Sequence, residues 1–330
     1  MLPLYESGGK RRKGKGMFHF LWSLIKALCT LAVVAVLGAG LYIGNMAYGQ
    51  LLDSPWDQIL GIRNQTGDLH IIHAAEKQYG WRPVEVEAGD GTMLAGTYVS
   101  AGNDAHRTVI LIHGLYSNRS MMVPLIPMYR DMGYNVLLID LRGHGESGGE
   151  HTMWGMKEMG DLDAWMDWLK ANDPRVLVGM HGISLGAAMS LLYSGTDNGQ
   201  NLLFYVADSS YADLLSLGKE KVYAWSGDER MLLSMDIIDP FFQAAMFIHT
   251  GKLLHNIEPI DAVKHAKAPV LFLHGASDTL VPASAAQELG NACASNRKEI
   301  RIFEGAGHAA EFSTNPGAYK EIVQKFVQNS

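Results

Sequence analysis

Residues 176–186 read Val-Leu-Val-Gly-Met-His-Gly-Ile-Ser-Leu-Gly, a short apolar run that ends in a G-x-S-x-G pentapeptide centred on Ser184. The run predicts a strand, and the small residues that follow predict a helix. Glycines at 182 and 186 allow the two elements to pass close together, with Ser184 at the apex of the turn. A serine hydroxyl becomes an effective nucleophile when such a turn exposes it beside a base. Taken alone, the pentapeptide is also compatible with an ordinary turn, so the rest of the chain decides.

The composition predicts one globular domain with an appended segment. The chain has 330 residues, of which 48% are hydrophobic and 18% charged, and this is enough to bury a substantial core. The two cysteines, Cys29 and Cys293, lie far apart, which argues against a structural disulfide. His70 and His73 have no acidic partner at metal-ligand spacing, and no Gly-rich phosphate loop follows a first strand. We therefore expect no metal and no cofactor.

Charge is distributed unevenly along the chain. The net charge is -7, yet the first sixteen residues carry five basic residues against Glu6 alone. Their net charge of +4 leaves about -11 for the remainder by subtraction. Nucleic-acid binding needs basic residues spread over a folded face, so we expect no nucleic-acid partner. The pattern is typical of membrane topology.

An apolar segment follows the basic tail, from Met17 to Ile43. Its length reaches the ~20 residues that cross ~30 Å of hydrocarbon. Lys26 is its one charged residue and lies near the basic end, where a long side chain can reach the interface. Positive residues before the span predict a cytoplasmic N-terminus and an extracytoplasmic body. We predict an uncleaved anchor; the alternative is a signal peptide cleaved near Ala47-Tyr48-Gly49, which leaves a secreted protein.

Strand-like and helix-like stretches alternate after a predicted stalk over residues 44–81. A helix is predicted over 154–171, and a hairpin is predicted about Gly89-Asp90-Gly91. The predicted strands are 84–87, 93–99, 108–112, 135–139, the strand before Ser184, 202–206, 270–273 and 300–303. Continuous apolar strands that alternate with helices predict an α/β fold with a mostly parallel sheet. The long interval at about 211–262 predicts a helical cap insert.

Two later predicted strands end in residues that Ser184 needs as partners. Asp278 follows the strand 270–273, and His308 lies in a Gly-flanked loop after the strand 300–303. Parallel strands present their carboxyl ends at one edge of the sheet, which is where sites form. The order Ser, Asp, His is that of a nucleophile-elbow hydrolase. Asp208, at another strand end, is the alternative acid.

Taken together, these motifs resemble the α/β-hydrolase superfamily over roughly residues 82–328. Within it, the chain is similar to the membrane-anchored bacterial serine aminopeptidase-like and Bem46-like hydrolases. The stretches that carry the resemblance are HGLYSNR at 113–119, DLRGHGESGG at 140–149, GISLGA at 182–187, ADSSYADL at 207–214 and HGASDTLVP at 274–282. The resemblance implies that Ser184 attacks an acyl carbonyl, that His308 carries the proton and that Asp278 orients His308. It also implies an oxyanion hole made by the backbone N–H groups of Leu115 and Leu185.

Other polar residues near these motifs are expected to be structural. His113 and His181 are interpreted as hydrogen-bonded architectural groups. Structural pairing is also expected for the polar loop residues Asp140, Arg142, His144 and Glu146. The predicted organisation is therefore a basic tail at 1–16, an anchor at 17–43, a stalk at 44–81 and an α/β-hydrolase domain at 82–330.

The expected function is that of a membrane-anchored serine hydrolase, which cleaves carboxylic esters through an acyl-enzyme. A peptidase, amidase, thioesterase or acyltransferase on the same triad stays open, and a peptidase would use cap acids to bind an amino group. Those acids are Glu220, Asp228, Glu229 and Asp236. A non-catalytic binding protein has no physical need to keep the three triad residues together. The partners expected are a small acyl-ester or peptide-like substrate and the membrane, with no obligate protein partner.

Overall fold

The computed structural model describes residues 13–56, 60, 67–102 and 104–329. Eight strands form one sheet: β1 Arg82–Glu87, β2 Met93–Val99, β3 Arg107–Ile112, β4 Asn135–Ile139, β5 Leu177–Ile183, β6 Tyr205–Asp208, β7 Val270–Gly275 and β8 Lys298–Phe303. Their spatial order is β1-β2-β4-β3-β5-β6-β7-β8. The pairs β1/β2 and β2/β4 are antiparallel, and all the other pairs are parallel. The predicted mostly parallel α/β sheet is confirmed.

Helices cover both faces of this sheet. They are α1 Lys13–Asp53, α2 Leu69–Tyr79, α3 Ile126–Asp131, α4 Glu158–Asn172, α5 Leu185–Ser194, α6 Leu214–Ser226, α7 Glu229–Thr250, α8 Pro259–Ala262, α9 Ser284–Ala292, α10 Glu311–Thr314 and α11 Pro316–Gln328. Short 3-10 segments lie at Arg119–Leu125, Gly199–Asn201, Leu254–Asn256 and Val263–His265. One apolar cluster joins α4, α5 and α9 to the sheet, and a second joins α3 and α11 to its opposite face.

Two predicted elements begin later than their sequence pattern indicates. Helix α4 begins at Glu158, because Trp154 and Gly155 adopt φ values of 53° and 100° that no α-helix accepts. The Glu158 carboxylate accepts hydrogen bonds from Met153 N at 2.6 Å and Gly155 N at 2.8 Å, which fixes this turn. Strand β6 begins at Tyr205 rather than Leu202, because a 3-10 turn precedes it.

The N-terminal apolar segment is one long helix, α1. Its side chains are exposed from Gly16 through Ala39, and from Gly40 onward the helix packs against α7. In the described part of the chain, two helices are long and apolar enough to cross a membrane: residues 16–53 of α1, and α7. The predicted basic tail lies outside the described residues as far as position 12, as do positions 57–59 and 61–66 of the predicted stalk.

Helices α6 and α7 fill the predicted cap region between β6 and β7. A Cβ atom on Gly40 or Gly44 of α1 would overlap Phe241 of α7, so the two helices lie in close contact at this point. Further along, Asn45 Oδ1 lies 2.7 Å from His249 Nε2, and the rings of Tyr48 and His249 stack with centroids 4.4 Å apart. The end of α1 is thus part of the folded body.

Candidate active site

Ser184 occupies a strained turn between β5 and α5. Its φ of 55° and ψ of -116° are unusual for a residue with a side chain, and such strain persists only where the surroundings enforce it. Gly182 and Gly186 are needed here, because a Cβ atom on either would collide with the backbone of Gly186 or Ile112. The Ser184 N–H donates to the Asp208 carbonyl at 2.8 Å. The turn therefore holds the hydroxyl at the carboxyl edge of the sheet.

Three side chains that are distant in sequence meet at this edge. The distance from Ser184 Oγ to His308 Nε2 is 2.7 Å. The distance from His308 Nδ1 to Asp278 Oδ2 is also 2.7 Å. The Asp278 side chain is fully buried and that of His308 is 8% exposed. The structure thus joins the three predicted triad residues in one hydrogen-bonded chain.

Asp278 is held by its own loop as well as by His308. Its Oδ1 accepts from Leu280 N at 2.8 Å and from Val281 N at 2.9 Å, and Oδ2 lies 3.2 Å from His274 Nε2. Burial alone would raise the pKa of this carboxyl, but the hydrogen bonds from His274 and His308 hold the pKa well below its usual value. The carboxylate is therefore charged at neutral pH, as an acid that stabilises an imidazolium must be.

The backbone around Ser184 contains the two amide groups that the sequence analysis assigns to an oxyanion hole. Leu185 begins α5, so its N–H is one of the first-turn amides that have no partner within the helix. The turn that holds Leu115 passes directly beside Ser184, since a Cβ atom on Gly114 would lie 3.3 Å from Ser184 Cβ. Both leucine side chains are apolar and buried, so only the backbone N–H of each residue can donate a hydrogen bond here.

His113 shapes the turn before Leu115. Its Nδ1 donates to the Gly114 carbonyl at 2.7 Å, and its Nε2 accepts from Leu141 N at 3.0 Å. Burial lowers the pKa of His113 to about 3, so the ring stays neutral and keeps this donor and acceptor arrangement. The structure gives His113 the architectural role expected from its position.

The alternative acid, Asp208, belongs to a different network. Its Oδ2 accepts from the Tyr319 hydroxyl at 2.8 Å. The two ring nitrogens of His181 contact the Tyr129 hydroxyl at 2.8 Å and the Tyr319 hydroxyl at 2.9 Å. Burial lowers the pKa of His181 to about 3. Asp208 and His181 therefore tie strands β5 and β6 to α11, whereas the acid bonded to His308 is Asp278.

The loop after β4 is cross-linked by ion pairs. Asp140 accepts from Arg119 N at 2.7 Å and also pairs with the guanidinium of Arg119, which reaches Glu146 at 2.5 Å. Arg142 pairs with Asp161 at 2.5 Å, and His144 Nδ1 lies 2.9 Å from the Arg142 carbonyl. These contacts account for the loop's polar residues as structural groups.

One pair that sequence reasoning missed supports the His308 loop. The Ser209 hydroxyl donates to Glu311 Oε1 at 2.6 Å and accepts from Ala309 N at 3.1 Å. Ala309 directly follows His308 and has a φ of 55°, so this contact holds a strained residue in place. The available signals were the ADSSYADL stretch, which contains Ser209, and the position of Glu311 three residues after His308.

The chain just after α1 lies beside the turn that carries Leu115. The Tyr116 hydroxyl accepts from Trp56 N at 3.2 Å and donates to the Ser54 carbonyl at 3.4 Å. Trp154 Nε1 donates to the Leu51 carbonyl at 3.2 Å. Hydrogen bonds thus connect the helix to the rim of the site.

The predicted cap acids are mostly engaged with neighbouring cations. Asp228 pairs with Arg230 at 2.7 Å, Asp236 with Lys219 at 2.6 Å and Glu220 with Lys221 at 3.0 Å. Within the described residues, no group of three His, Cys, Asp or Glu side chains is placed to hold a metal ion. His73 lies 3.2 Å from each of two glutamates, Glu76 and Glu146.

This chain is similar in sequence and in fold to known α/β-hydrolases and their relatives. The profile described as "Alpha/beta hydrolase family" matches residues 109–321. The uncharacterized protein YqkD of Bacillus subtilis (strain 168) is 28% identical over 298 residues, which cover 90% of this chain and 94% of YqkD. The structure of the Pyrococcus furiosus esterase Pf2001 aligns with a TM-score of 0.62 at 28% identity and covers 77% of this chain and 95% of that one. A monoacylglycerol lipase of Paleococcus ferrophilus shares the fold, with a TM-score of 0.53 at 19% identity over 72% of this chain and 99% of the lipase.

Proposed function

The chain belongs to the alpha/beta hydrolase family, and from that membership we propose that it is a membrane-anchored serine hydrolase that cleaves carboxylic esters. The observation that carries the proposal is the chain of two 2.7 Å contacts from Ser184 through His308 to Asp278. The likeness to an esterase at 28% identity supports ester hydrolysis as the reaction class.

The proposed reaction begins with acylation of the enzyme. As Ser184 Oγ attacks the ester carbonyl, its proton passes to His308 Nε2, and Asp278 stabilises the imidazolium that forms. The carbonyl oxygen becomes an oxyanion that accepts hydrogen bonds from the N–H groups of Leu115 and Leu185. Collapse of the tetrahedral intermediate breaks the ester C–O bond, and the leaving alkoxide takes the proton from His308.

Deacylation repeats these steps with water as the nucleophile. His308 removes a proton from water, and the resulting hydroxide attacks the acyl carbon. When the second intermediate collapses, Ser184 Oγ leaves and regains the proton from His308, and the carboxylic acid is released. Every proton is accounted for by these side chains, so the cycle needs neither a metal nor a cofactor.

Ester cleavage is preferred over peptide cleavage because of the charges in the cap. A peptidase would need acidic groups that are free to bind the amino terminus of its substrate. Three of the four candidates are already paired with Arg230, Lys219 and Lys221. A substrate ammonium that binds one of these three carboxylates would compete with the cation already paired to it.

We further propose that α1 is retained as an anchor. The alternative cleavage site at residues 47–49 lies inside a continuous helix, where Ala47 and Tyr48 pack against the apolar cluster of the cap. Processing there would remove the contacts of Gly40, Gly44 and Asn45 with α7. A basic tail before the span then predicts an extracytoplasmic catalytic domain.

The test is substitution of the nucleophile. Ser184→Ala in the full-length protein is expected to reduce hydrolysis of short-chain p-nitrophenyl esters at least ~10³-fold, because the acyl-enzyme no longer forms. Ser190→Ala is the matched control, since Ser190 lies on the same helix and its hydroxyl donates to the Ala187 carbonyl. Esterase activity that survives in Ser184→Ala would refute the proposal.

A further inference from the structure

Helices α1 and α7 run side by side in the same direction. Gly40 meets Phe241, and eight residues further along each chain Tyr48 stacks on His249. The helices are therefore parallel where they touch. Residues 229–240 of α7 consequently extend from the Gly40 contact toward the same side as the apolar residues 17–39 of α1.

The lengths of the two segments determine how deep α7 reaches. At 1.5 Å per residue, residues 17–39 of α1 span about 35 Å, which is enough to cross the ~30 Å hydrocarbon layer. Residues 229–240 extend about 18 Å from the contact, and about 14 Å along the α1 axis even if the helices diverge by ~40°. If α1 crosses the membrane, the first half of α7 therefore lies at the level of the nearer leaflet.

The side chains of this cap tip, residues 223–237, fit such a location. Trp225 is 83% exposed, Leu233 60% and Ile237 62%, and Tyr223 and Met231 are also exposed. Apolar side chains at these exposures gain free energy on entering lipid, and tryptophan favours the interface between lipid and water. The surface continues past the contact, because Met46 on α1 and Ile248 on α7 are exposed as well.

Most charged residues between positions 228 and 239 are paired with a neighbouring group, which reduces the net charge that this surface presents to lipid. Asp236, whose side chain is 58% exposed, pairs with Lys219 of α6 at 2.6 Å, and Asp239 lies 2.9 Å from His255. At the tip, Asp228 pairs with Arg230. The second half of α7 does not cross a membrane, since Phe242 and Met246 are buried against the body of the protein. These features describe a helix that lies in the interface rather than one that spans the bilayer.

The cap and the chain that follows α1 both contact the active site. Lys221 Nζ of α6 donates to the Thr279 carbonyl at 3.2 Å, and Thr279 follows the triad residue Asp278. Ser54 and Trp56, which directly follow α1, are hydrogen-bonded to Tyr116, the residue after Leu115. We propose that the cap tip inserts into the leaflet on the catalytic side, beside α1, and that the site therefore takes amphiphilic acyl esters from the bilayer. The insertion rests on α1 being an anchor, and the substrate class rests on the proposed function.

The insertion is tested by fluorescence in nanodiscs that contain phosphatidylcholine with brominated acyl chains. Full-length protein and Trp225→Phe are compared, and the difference between their spectra is the emission of Trp225. We expect brominated lipid to quench this emission at least twofold more strongly than aqueous iodide does. Quenching by iodide with no effect of brominated lipid would overturn the insertion, whether or not the protein is an esterase.

The substrate class is tested by the double variant Leu233→Gln/Ile237→Gln in the same nanodiscs. We expect at least a tenfold loss of hydrolysis of a long-chain ester embedded in the bilayer, with no change on a soluble acetate ester. Leu177→Gln is the control, because Leu177 is 52% exposed at the amino end of β5, away from the cap. An unchanged ratio of the two rates would overturn the substrate assignment. If the wild type hydrolyses neither ester, the proposed function fails, and the quenching result still decides insertion.

Discussion

At the residue scale, the proposed chemistry depends on the strained conformation of Ser184 and the buried charge of Asp278. Both follow from local sequence. Gly182 and Gly186 permit the turn, and the Asp278 loop supplies two backbone donors to its carboxylate. This explains why the sequence alone predicted the three triad positions that the structure brings together.

Exchange of the acid tests its assignment. Asp278→Asn is expected to lower kcat by ~10³ to 10⁴-fold, because the amide stabilises neither the required tautomer of His308 nor the imidazolium. Asp208→Asn is the control, since its carboxylate contacts Tyr319 rather than His308, and we expect less than a tenfold change in kcat together with a lower Tm. Steady-state kinetics and thermal unfolding of both variants give the comparison. A larger kcat loss in Asp208→Asn would assign the acid to Asp208.

The contact between Ser209 and Glu311 that supports the His308 loop could not be predicted from the sequence. Ser209 and Glu311 lie 102 residues apart, and only the packing of the carboxyl ends of β6 and β7 near α10 brings them within 2.6 Å. No short motif encodes a contact of that kind, because it depends on tertiary placement of two elements. Each triad residue lies in its own short sequence motif, whereas neither Ser209 nor Glu311 has a motif that identifies the other as its partner.

At the element scale, the close approach of α1 and α7 depends on two glycines spaced four apart. The sequence predicts that α1 is an apolar helix, but it does not predict that α1 packs against α7. A G-x-x-x-G spacing lets helix backbones approach closely. Here it admits Phe241, whose ring and backbone occupy the space that Cβ atoms on Gly40 and Gly44 would need.

Gly44→Ala is expected to weaken this contact. Its Cβ would collide with the backbone of Phe241, which cannot move aside as a flexible side chain can, so we expect a loss of about 1 to 3 kcal/mol. Gly38→Ala is the matched control: no atom lies within 4 Å of its Cβ, and alanine favours helix. Thermal unfolding in nanodiscs should show a lower Tm for Gly44→Ala and an equal or higher Tm for Gly38→Ala. Equal stability of the two variants would mean that α1 does not dock on α7.

The start of the cap is sensitive to pH through Glu258. This buried carboxyl accepts from Leu214 N at 2.7 Å, at the first residue of α6, and burial raises its pKa to about 8. Folding therefore favours the protonated form, so its contribution to stability is complete below about pH 4.5 and is lost as the pH rises through 8. The cap is most stable on the acidic side of this interval.

Glu258→Gln is expected to remove this dependence while keeping an acceptor for Leu214 N. Between pH 5 and 9, the Tm of the wild type should fall by about 5 °C more than that of Glu258→Gln. The exposed Glu304→Gln serves as the control and should follow the wild type. Parallel Tm curves for the wild type and Glu258→Gln would show that Glu258 is ionised in the folded protein.

At the scale of the whole molecule, helix α1, the cap and the candidate active site converge on one end of the fold. Alternating apolar strands and helices were sufficient to predict the sheet, because buried parallel strands have a recognisable composition. Helix α4 and strand β6 begin later than predicted, at Glu158 and Tyr205. The positive φ values and the 3-10 turn that delay them cannot be recognised from the pattern of apolar residues. The position of the cap beside α1 came from packing alone.

Covalent labelling of the full-length protein in its membrane tests the serine chemistry most directly. The membranes are treated with a fluorophosphonate, and the modified chain is digested and mapped by mass spectrometry. We predict one phosphonate adduct on Ser184, in a chain that still contains peptides from residues 17–53. An unmodified Ser184, or an adduct on another serine, would contradict the assignment of Ser184 as the nucleophile.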